Sequence, residues 1–225
     1  VKETVSGESL KKHKSYWLGQ MSKPLPILAM PTDAVRPTFR TSSGGSETKI
    51  FNVDLREQLY EFSEKQGVTP FMTFLAIAKA LFYHYTGQKD IIIGTPIAGR
   101  EHEDLENQIG LFVNTLVLRT QFDNNESFNE LLAKVRNNTL DAYEHQIYPF
   151  DQLVEDLSLP RDMSRNPVYD VMLTFQNTGL ENVLEQSNNE LSITPKDNGI
   201  IMAKVDLCFS FQETNQGLAL TIEYN

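Results

Sequence analysis

Four histidines are the side chains of this sequence best suited to general acid–base chemistry near neutral pH: His13, His84, His102 and His145. None of them stands in a recognisable motif with a Ser, Cys or Thr nucleophile. His145, in the segment HQIYPF at a predicted helix end, is the best candidate for a catalytic base. The alternative for His145 is helix capping or aromatic packing. The residues alone therefore give one candidate base and no complete active site.

The residue types and spacings that hold metals or nucleotides are missing from this sequence. Cys208 is the only cysteine, so an internal disulfide is impossible, and no Cys/His cluster has the spacing of a zinc site. The acidic loop at 101–106 lacks the alternating ligands and the glycine of a calcium loop. GTPIAG, at 94–99, lacks the spacing of a phosphate-binding loop. We therefore predict no metal and no directly bound cofactor.

Polar residues in apolar surroundings form a second group of candidates. Asn114 interrupts the apolar run FVNTLVLR, where its amide either pairs with neighbouring backbone or is aimed at a ligand. Gly94 and Pro96 follow a buried-looking run and predict a turn after it. Arg165 lies in RDMSRNPVY, which by itself predicts a hydrogen-bonded turn closed by Pro167.

Charge and hydropathy exclude two classes of partner. The net charge of −10 and the pI near 4.9 argue against nucleic acid, because phosphate binding depends on Lys and Arg. The longest apolar stretch, FLAIAKALFYHY, is broken by Lys79, and the first residues have no apolar signal-peptide core, which argues against a membrane segment. A single cysteine fits a cytoplasmic setting.

Three helices are predicted from capping signals and apolar spacing. The clearest spans 69–87, with Thr69 as N-cap, Pro70 at the first helical position and Gly87 as the stop signal. An amphipathic surface helix precedes it, ending at Gly67. A third begins with the capping-box spacing of Ser127 and Glu130 and runs to about 145.

Strand candidates alternate with these helices and end in a hairpin. Apolar runs or period-2 alternation predict strands at 48–53, 90–95, 112–122, 168–176 and 191–194, then a hairpin from about 205 to 224. This order predicts one α/β (α+β layered) domain over 1–225, a mixed β-sheet with flanking helices. A long polar segment after Gln176 is expected to contact another surface.

Several of these segments together resemble the condensation domains of nonribosomal peptide synthetases. The resemblance rests on IIIGTPIAGR, IGLFVNTLVLR, HQIYPFDQLVEDL and RDMSRNPVYDVMLTFQN, with SYWLGQM near the start and AKVDLCFSF near the end. The family's catalytic motif, His-His-x-x-x-Asp-Gly, is absent here. The resemblance therefore implies only the C-terminal lobe of a two-lobed fold similar to chloramphenicol acetyltransferase, and a fragment that is inactive alone.

The resemblance also implies a function and positions for it. Two phosphopantetheine-tethered substrates would meet in a tunnel between the lobes, where an acceptor amine attacks a donor thioester to form an amide. This lobe would supply the acceptor-side wall, a floor loop over 94–110 and a latch over 177–190. Gly94, Pro96, Arg100, Asn114 and Arg165 would lie in the tunnel or at the lobe interface. For Arg100 and Arg165 the alternative is a salt bridge inside this lobe.

The implied partners are the N-terminal lobe, carrier proteins and adjacent synthetase domains. Lys11, Lys12 and Lys14 form the only dense basic run and are the candidate docking site for an acidic carrier, with a solvated helix face as the alternative. Two other functions stay open: a non-catalytic docking module for carrier proteins, and a lobe of an acyltransferase that uses coenzyme A. The amino acids joined and the product are not encoded in these patterns.

Overall fold

The computed structural model describes residues 7–100, 103–106, 108–123, 125–176 and 202–225. Six strands form one mixed sheet in the order β1-β6-β5-β4-β2-β3. The pairs β4–β5 and β2–β4 are parallel and the other three neighbouring pairs are antiparallel. The strands are β1 (Gly45–Phe51), β2 (Asp90–Ile97), β3 (Asn114–Gln121), β4 (Val171–Gln176), β5 (Leu207–Thr214) and β6 (Gly217–Tyr224).

Six helices accompany the sheet in the described residues: α1 (Glu8–Gln20), α2 (Val53–Lys65), α3 (Pro70–Thr86), α4 (Glu103–Glu106), α5 (Phe128–Glu144) and α6 (Phe150–Leu157). The predicted caps of two of them are confirmed. Thr69 accepts a hydrogen bond from the Met72 backbone at the start of α3, and Gly87 ends that helix with φ 68°. Ser127 and Glu130 form the reciprocal capping box of α5. These local signals fix the helix ends, as the sequence predicts.

Helix α3 covers the apolar face of the sheet. Phe74 stacks on Phe211 with 4.2 Å between ring centroids, and Phe82 packs edge-on against Phe209 at 5.6 Å. Leu173 of β4 is fully buried in the same core. α5 packs against α3 and β3, and α2 against α3 and β6. The mixed sheet with flanking helices, predicted from the sequence, is therefore confirmed, and its apolar face is the core.

One local prediction is wrong. Gly94 and Pro96 do not form a turn after a strand, because β2 continues through both of them to Ile97. Gly94 pairs with Val117 and Pro96 with Thr115 across the β2–β3 ladder. The predicted strand 191–194 lies outside the described residues.

Candidate functional site

The second face of the sheet, opposite α3, carries two hydroxyl side chains, Thr174 and Ser210, near its centre. Register places Gly94, Met172 and Cys208 side by side on three neighbouring strands. One step along, Thr174 Oγ1 donates to Ser210 Oγ at 3.0 Å. All but the buried Gly94 are half-buried. This face, unlike the core face, therefore offers hydroxyl groups to a ligand.

Cys208 on this face is not an activated nucleophile. Its Sγ lies 3.8 Å from Ser210 Oγ, and burial raises the pKa of its thiol. The thiolate, which is the nucleophilic form, is therefore disfavoured.

The parallel strands β2 and β4 meet at a single position in the described structure, where Gly94 pairs with Met172. The orientation of the backbone there follows from two hydrogen bonds outside the ladder. Lys89 O accepts from Phe122 N, so the odd-numbered residues of β2 face β3 and the even-numbered ones face β4. Asp170 O accepts from Leu207 N, so Leu173 faces β2. Gly94 and Pro96 therefore both face β4.

Gly94 is required by a ring that lies against its backbone. A Cβ added at Gly94 would lie 2.7 Å from ring carbons of Tyr169. Tyr169 also packs against Phe150, with 5.6 Å between ring centroids, and hydrogen bonds to Thr115. Any side chain at 94 would displace this ring from the β2–β4 junction.

The Asn114 amide is satisfied by backbone groups of this chain, the alternative that the sequence left open. Its Nδ2 donates to Gln146 O and Tyr148 O, each at 2.9 Å. Its Oδ1 accepts from Thr115 N at 2.9 Å and Phe150 N at 3.0 Å. Asn114 thus fastens the segment between α5 and α6 to the start of β3.

Arg100 organises the loop between β2 and β3. Its guanidinium donates to Leu105 O and to Gln108 O, the latter at 2.7 Å, and lies 4.3 Å from the centroid of the Phe112 ring. Gly99, with φ 63°, makes the turn, and a Cβ there would lie 2.0 Å from Phe112 O. The described contacts of Arg100 therefore hold the loop in shape.

The same loop presents apolar side chains to solvent. Ile109, Leu111 and Val113 expose 106, 92 and 62% of their surface, respectively. We call Ile109, Leu111 and Val113 the apolar strip. Exposed apolar clusters are a common feature of interaction surfaces.

Arg165 forms a salt bridge within this chain, which is the alternative that the sequence analysis gave for it. Its Nη1 lies 2.5 Å from Asp170 Oδ2, and its Nε lies 3.9 Å from Asp162 Oδ2. Asp170 is buried, and burial raises the pKa of its carboxyl above the usual range, while Arg165 opposes the rise. Asp170 Oδ1 has no hydrogen-bond partner in the described structure.

His145 lies in an aromatic joint rather than in a catalytic constellation. It is 7% exposed, its ring stacks on Tyr16 at 4.1 Å, and its Nδ1 lies 2.8 Å from His13 Nδ1. Its carbonyl accepts from Trp17 Nε1 at 2.9 Å. Burial, and then the charge of His13, lower the pKa of His145. These contacts match the packing alternative and tie α1 to the end of α5.

Two of the three lysines in the basic run are paired within the chain. Lys12 Nζ lies 2.8 Å from Glu144 Oε1, and Lys14 Nζ lies 2.7 Å from Asp156 Oδ1. Lys11 is exposed. The run therefore helps to hold α1 against α5 and α6.

Two classes of site find no support in the described part of the chain. No group of three or more His, Cys, Asp or Glu side chains is arranged to hold a metal ion there. No described helix is both long enough and apolar enough to cross a membrane.

Sequence reasoning missed Tyr169, Thr174 and Ser210, although part of the signal was present. The alternation of VMLTFQ and LCFSFQET puts Thr174 and Ser210 opposite the apolar row of each strand. Their contact requires that β4 and β5 be neighbours in parallel register, which no local pattern supplies. Tyr169 reaches Gly94 only because β4 lies beside β2.

Comparison with known proteins places this geometry in a family. Residues 2–225 match the family described as Condensation domain. Tyrocidine synthase 3 of Brevibacillus parabrevis is 41% identical over 214 residues, covering 95% of this chain and 3% of that protein. Surfactin synthase subunit 1 of Bacillus subtilis (strain 168) is 38% identical over 222 residues, covering 98% of this chain and 6% of that protein.

Solved structures share the fold at low sequence identity. The X-domain from teicoplanin biosynthesis aligns with a TM-score of 0.82 at 23% identity, covering 99% of this chain and 50% of that one. The first condensation domain of the calcium-dependent antibiotic synthetase, in complex with a substrate analogue, aligns with a TM-score of 0.75 at 19% identity, covering 100% and 49%. This chain thus spans about half of each of these solved chains and only a small part of the curated relatives.

Proposed function

The chain belongs to the condensation-domain family of nonribosomal peptide synthetases, and from this premise we propose that it is the C-terminal lobe of such a domain. The proposal rests on how much of a solved condensation domain aligns with this chain. All of this chain aligns with about half of the solved condensation domain of the calcium-dependent antibiotic synthetase. A second body of similar size would complete the domain.

The proposed reaction is amide formation between two carrier-bound substrates. The acceptor amine attacks the carbonyl carbon of the donor thioester, a C–N bond forms, the C–S bond breaks, and the departing sulfur takes the proton that the amine loses. Phosphopantetheine arms of carrier proteins deliver both substrates. This lobe contributes the acceptor-side wall, and orientation of the two reactants is its share of catalysis.

The chain is proposed to be inactive alone because its described residues place no base where it could deprotonate or orient the acceptor amine. His-His-x-x-x-Asp-Gly is absent from the sequence. The His145 ring already contacts His13 and Tyr16, and its lowered pKa reflects burial between these rings. Without a base and an opposite wall, neither proton transfer nor proximity assists the reaction.

The interface with the N-terminal lobe is proposed to include the floor loop 94–110 and the apolar strip that follows it. The exposure of Ile109, Leu111 and Val113 supports this assignment. Arg100 would act by shaping the loop, and Arg165 and Asn114 by holding the chain around it. The proposed latch, 177–190, lies outside the described residues.

Carrier proteins and adjacent synthetase domains are the further partners proposed, in a cytoplasmic setting. Carrier docking on Lys11, Lys12 and Lys14 would compete with the ion pairs of Lys12 and Lys14. Changing all three to Ala should weaken carrier binding and flatten its salt dependence if the run docks carriers. An unchanged affinity and salt dependence would remove the run from the proposal.

The experiment that tests the lobe assignment is to read the coding sequence upstream of Val1 for His-His-x-x-x-Asp-Gly. Its presence within a lobe-sized stretch, together with amide formation by the joined protein and none by this chain alone, supports the proposal. Amide formation by this chain alone, with two loaded carriers, contradicts it. A start codon in place of that stretch would favour the non-catalytic docking module.

A further inference from the structure

Strand β1 is an edge of the sheet, and its outer side is a row of backbone groups. Asn225 N donates to Asp206 O, so the odd-numbered residues of β6 face β5 and the even-numbered ones face β1. The even-numbered residues of β6 pair with the odd-numbered residues of β1. Ser46, Thr48 and Ile50 therefore point their N–H and C=O groups away from the sheet. Within the described residues, no hydrogen bond reaches these backbone groups.

The opposite edge of the sheet, β3, is closed by side chains of α5. Asn138 Nδ2 donates to Arg119 O at 2.9 Å, and Lys134 Nζ donates to Gln121 O at 3.3 Å. The described part of the chain gives β1 no such cover. β1 also lacks a proline and a β-bulge, since the seven residues GSETKIF pair with β6 without interruption. The β1 edge is thus open to another strand.

The two charges of β1 complement a second copy of the same strand. Charged side chains usually protect an edge, because like charges repel an approaching strand. In an antiparallel pair of β1 strands with a two-fold axis at Thr48, however, Glu47 of each copy lies opposite Lys49 of the other. Glu47 and Lys49 are both exposed. The charges therefore favour this pairing instead of opposing it.

This register also joins the most backbone. It pairs all seven residues of β1 and sets the outward-facing Thr48 against Thr48, and Ser46 against Ile50. Each of these pairs can exchange two hydrogen bonds, because both members face the partner strand. Moving the axis to Glu47 or to Lys49 would oppose that charge to itself, which is destabilising. Backbone and charge thus select one register.

We propose that β1 is a self-association surface, where two copies of this chain pair antiparallel about Thr48 and join their sheets into one. The inference goes beyond the proposed function and does not depend on it. One short strand edge buries less than about 1,200 Å², and each chain carries a net charge of −10. The dimer is therefore reversible, with a dissociation constant on the order of 10 μM at about 0.15 M salt.

Sedimentation equilibrium of the whole chain tests the inference. Glu47→Lys places Lys against Lys at both contacts, and Lys49→Glu places Glu against Glu. Each variant should self-associate about tenfold more weakly than the wild type. A mixture of the two variants should pair as tightly as the wild type, because every contact then joins Lys to Glu. Glu57→Lys, at an exposed position of α2, changes the net charge as Glu47→Lys does and should associate like the wild type.

A second pair of variants tests the backbone. Thr48→Pro removes the outward N–H at the centre of the contact, whereas Thr48→Val keeps it and removes only the hydroxyl. Only Thr48→Pro should weaken the association, and equal association of the two would exclude pairing of the backbone edges.

Three further outcomes would overturn the inference. These are a wild type that stays monomeric at about 500 μM, an association that neither charge variant weakens, and charge variants that fail to pair with each other. The last two would move the contact to another surface, such as the apolar strip. None of them bears on amide formation, so the proposed function would stand.

Discussion

Lys79 places an amine in the core between α3 and the sheet. Its side chain is fully buried, and its Nζ donates to Ile91 O at 2.9 Å and to Leu118 O at 2.7 Å. Burial lowers its pKa to about 7, and Asp90 opposes the shift. The ammonium form is therefore costly in the folded state near neutral pH, which makes the protein's stability depend on pH.

Lys79→Met should change this pH dependence in a defined direction. The pKa of Lys79 is depressed on folding, so the unfolded state binds more protons above pH 7, and stability rises with pH there. Over pH 7–9 the unfolding free energy of the wild type should gain about 1.4 kcal/mol per pH unit relative to Lys79→Met. Urea unfolding at several pH values measures this. For Lys65→Met, at an exposed lysine, the unfolding free energy should change with pH as it does in the wild type. The same pH dependence in Lys79→Met and the wild type would contradict the proposed role of the buried amine.

Asn114→Asp tests the amide that fastens the segment before α6. The substitution keeps the shape of the side chain but removes both donors, so a carboxylate faces the carbonyls of Gln146 and Tyr148. The unfolding free energy should fall by about 2–4 kcal/mol at pH 7, because two buried acceptors lose their partners and repel the new charge. Denaturant unfolding provides the measurement. Asn137→Asp, on the exposed side of α5, should cost little, and an equal cost at both positions would refute the role of Asn114.

At the scale of elements, α1 is held to α5 by a pair of imidazole rings. His13 and His145 share one hydrogen bond between their Nδ1 atoms, so one ring must donate while the other accepts. Around them lie Lys12 and Glu144, which form an ion pair, Asp141 and the stacked Tyr16. A proton on both Nδ1 atoms would break the shared hydrogen bond, because neither nitrogen could then accept.

The joint should therefore weaken in mild acid. Burial depresses the pKa of His145, so this group contributes stability that is present above its unfolded pKa near 6.5 and is lost as pH falls. Between pH 7 and pH 5 the wild type should lose more unfolding free energy than His145→Gln does. Unfolding curves at both pH values measure the difference. His84→Gln removes an exposed histidine and should lose as much as the wild type; equal losses in all three proteins would exclude the joint as the cause.

Elements with strong local signals could be predicted from the sequence, whereas the packing and pairing between elements could not. The Thr69–Pro70 start and the Gly87 end of α3 are local chemistry, as is the capping box of α5. Helix α6 escaped prediction because eight residues give only two turns of apolar spacing. The strand through Pro96 escaped because proline usually breaks a ladder. Here its missing N–H faces the side on which β4 has already parted from β2.

At the scale of the whole molecule, the strongest support for the proposed second lobe is the exposure of apolar side chains to solvent. The apolar strip has no role in the core, and it follows a loop that Arg100 and Gly99 hold in a defined shape. Other exposed apolar residues lie on the surface of α3, where Ile77 and Leu81 are 40 and 39% exposed, respectively. The α3 residues are more than half covered, whereas Ile109 and Leu111 are almost wholly exposed.

Replacing the apolar strip should separate association from folding. The triple change Ile109→Ser, Leu111→Ser and Val113→Thr should leave the unfolding free energy of the chain within about 0.5 kcal/mol of wild type, because these side chains are mostly exposed to solvent. It should weaken binding of a separately produced N-terminal lobe about a hundredfold, since each buried aliphatic side chain contributes about 1.5–3 kcal/mol, part of which is offset on association. Calorimetric titration measures the affinity.

The control Ile77→Ser with Leu81→Ser removes exposed apolar surface elsewhere and should bind as the wild type does. Equal weakening by both variants would mean that the strip has no special place at the interface, and unchanged binding by the triple variant would place the second lobe on another face.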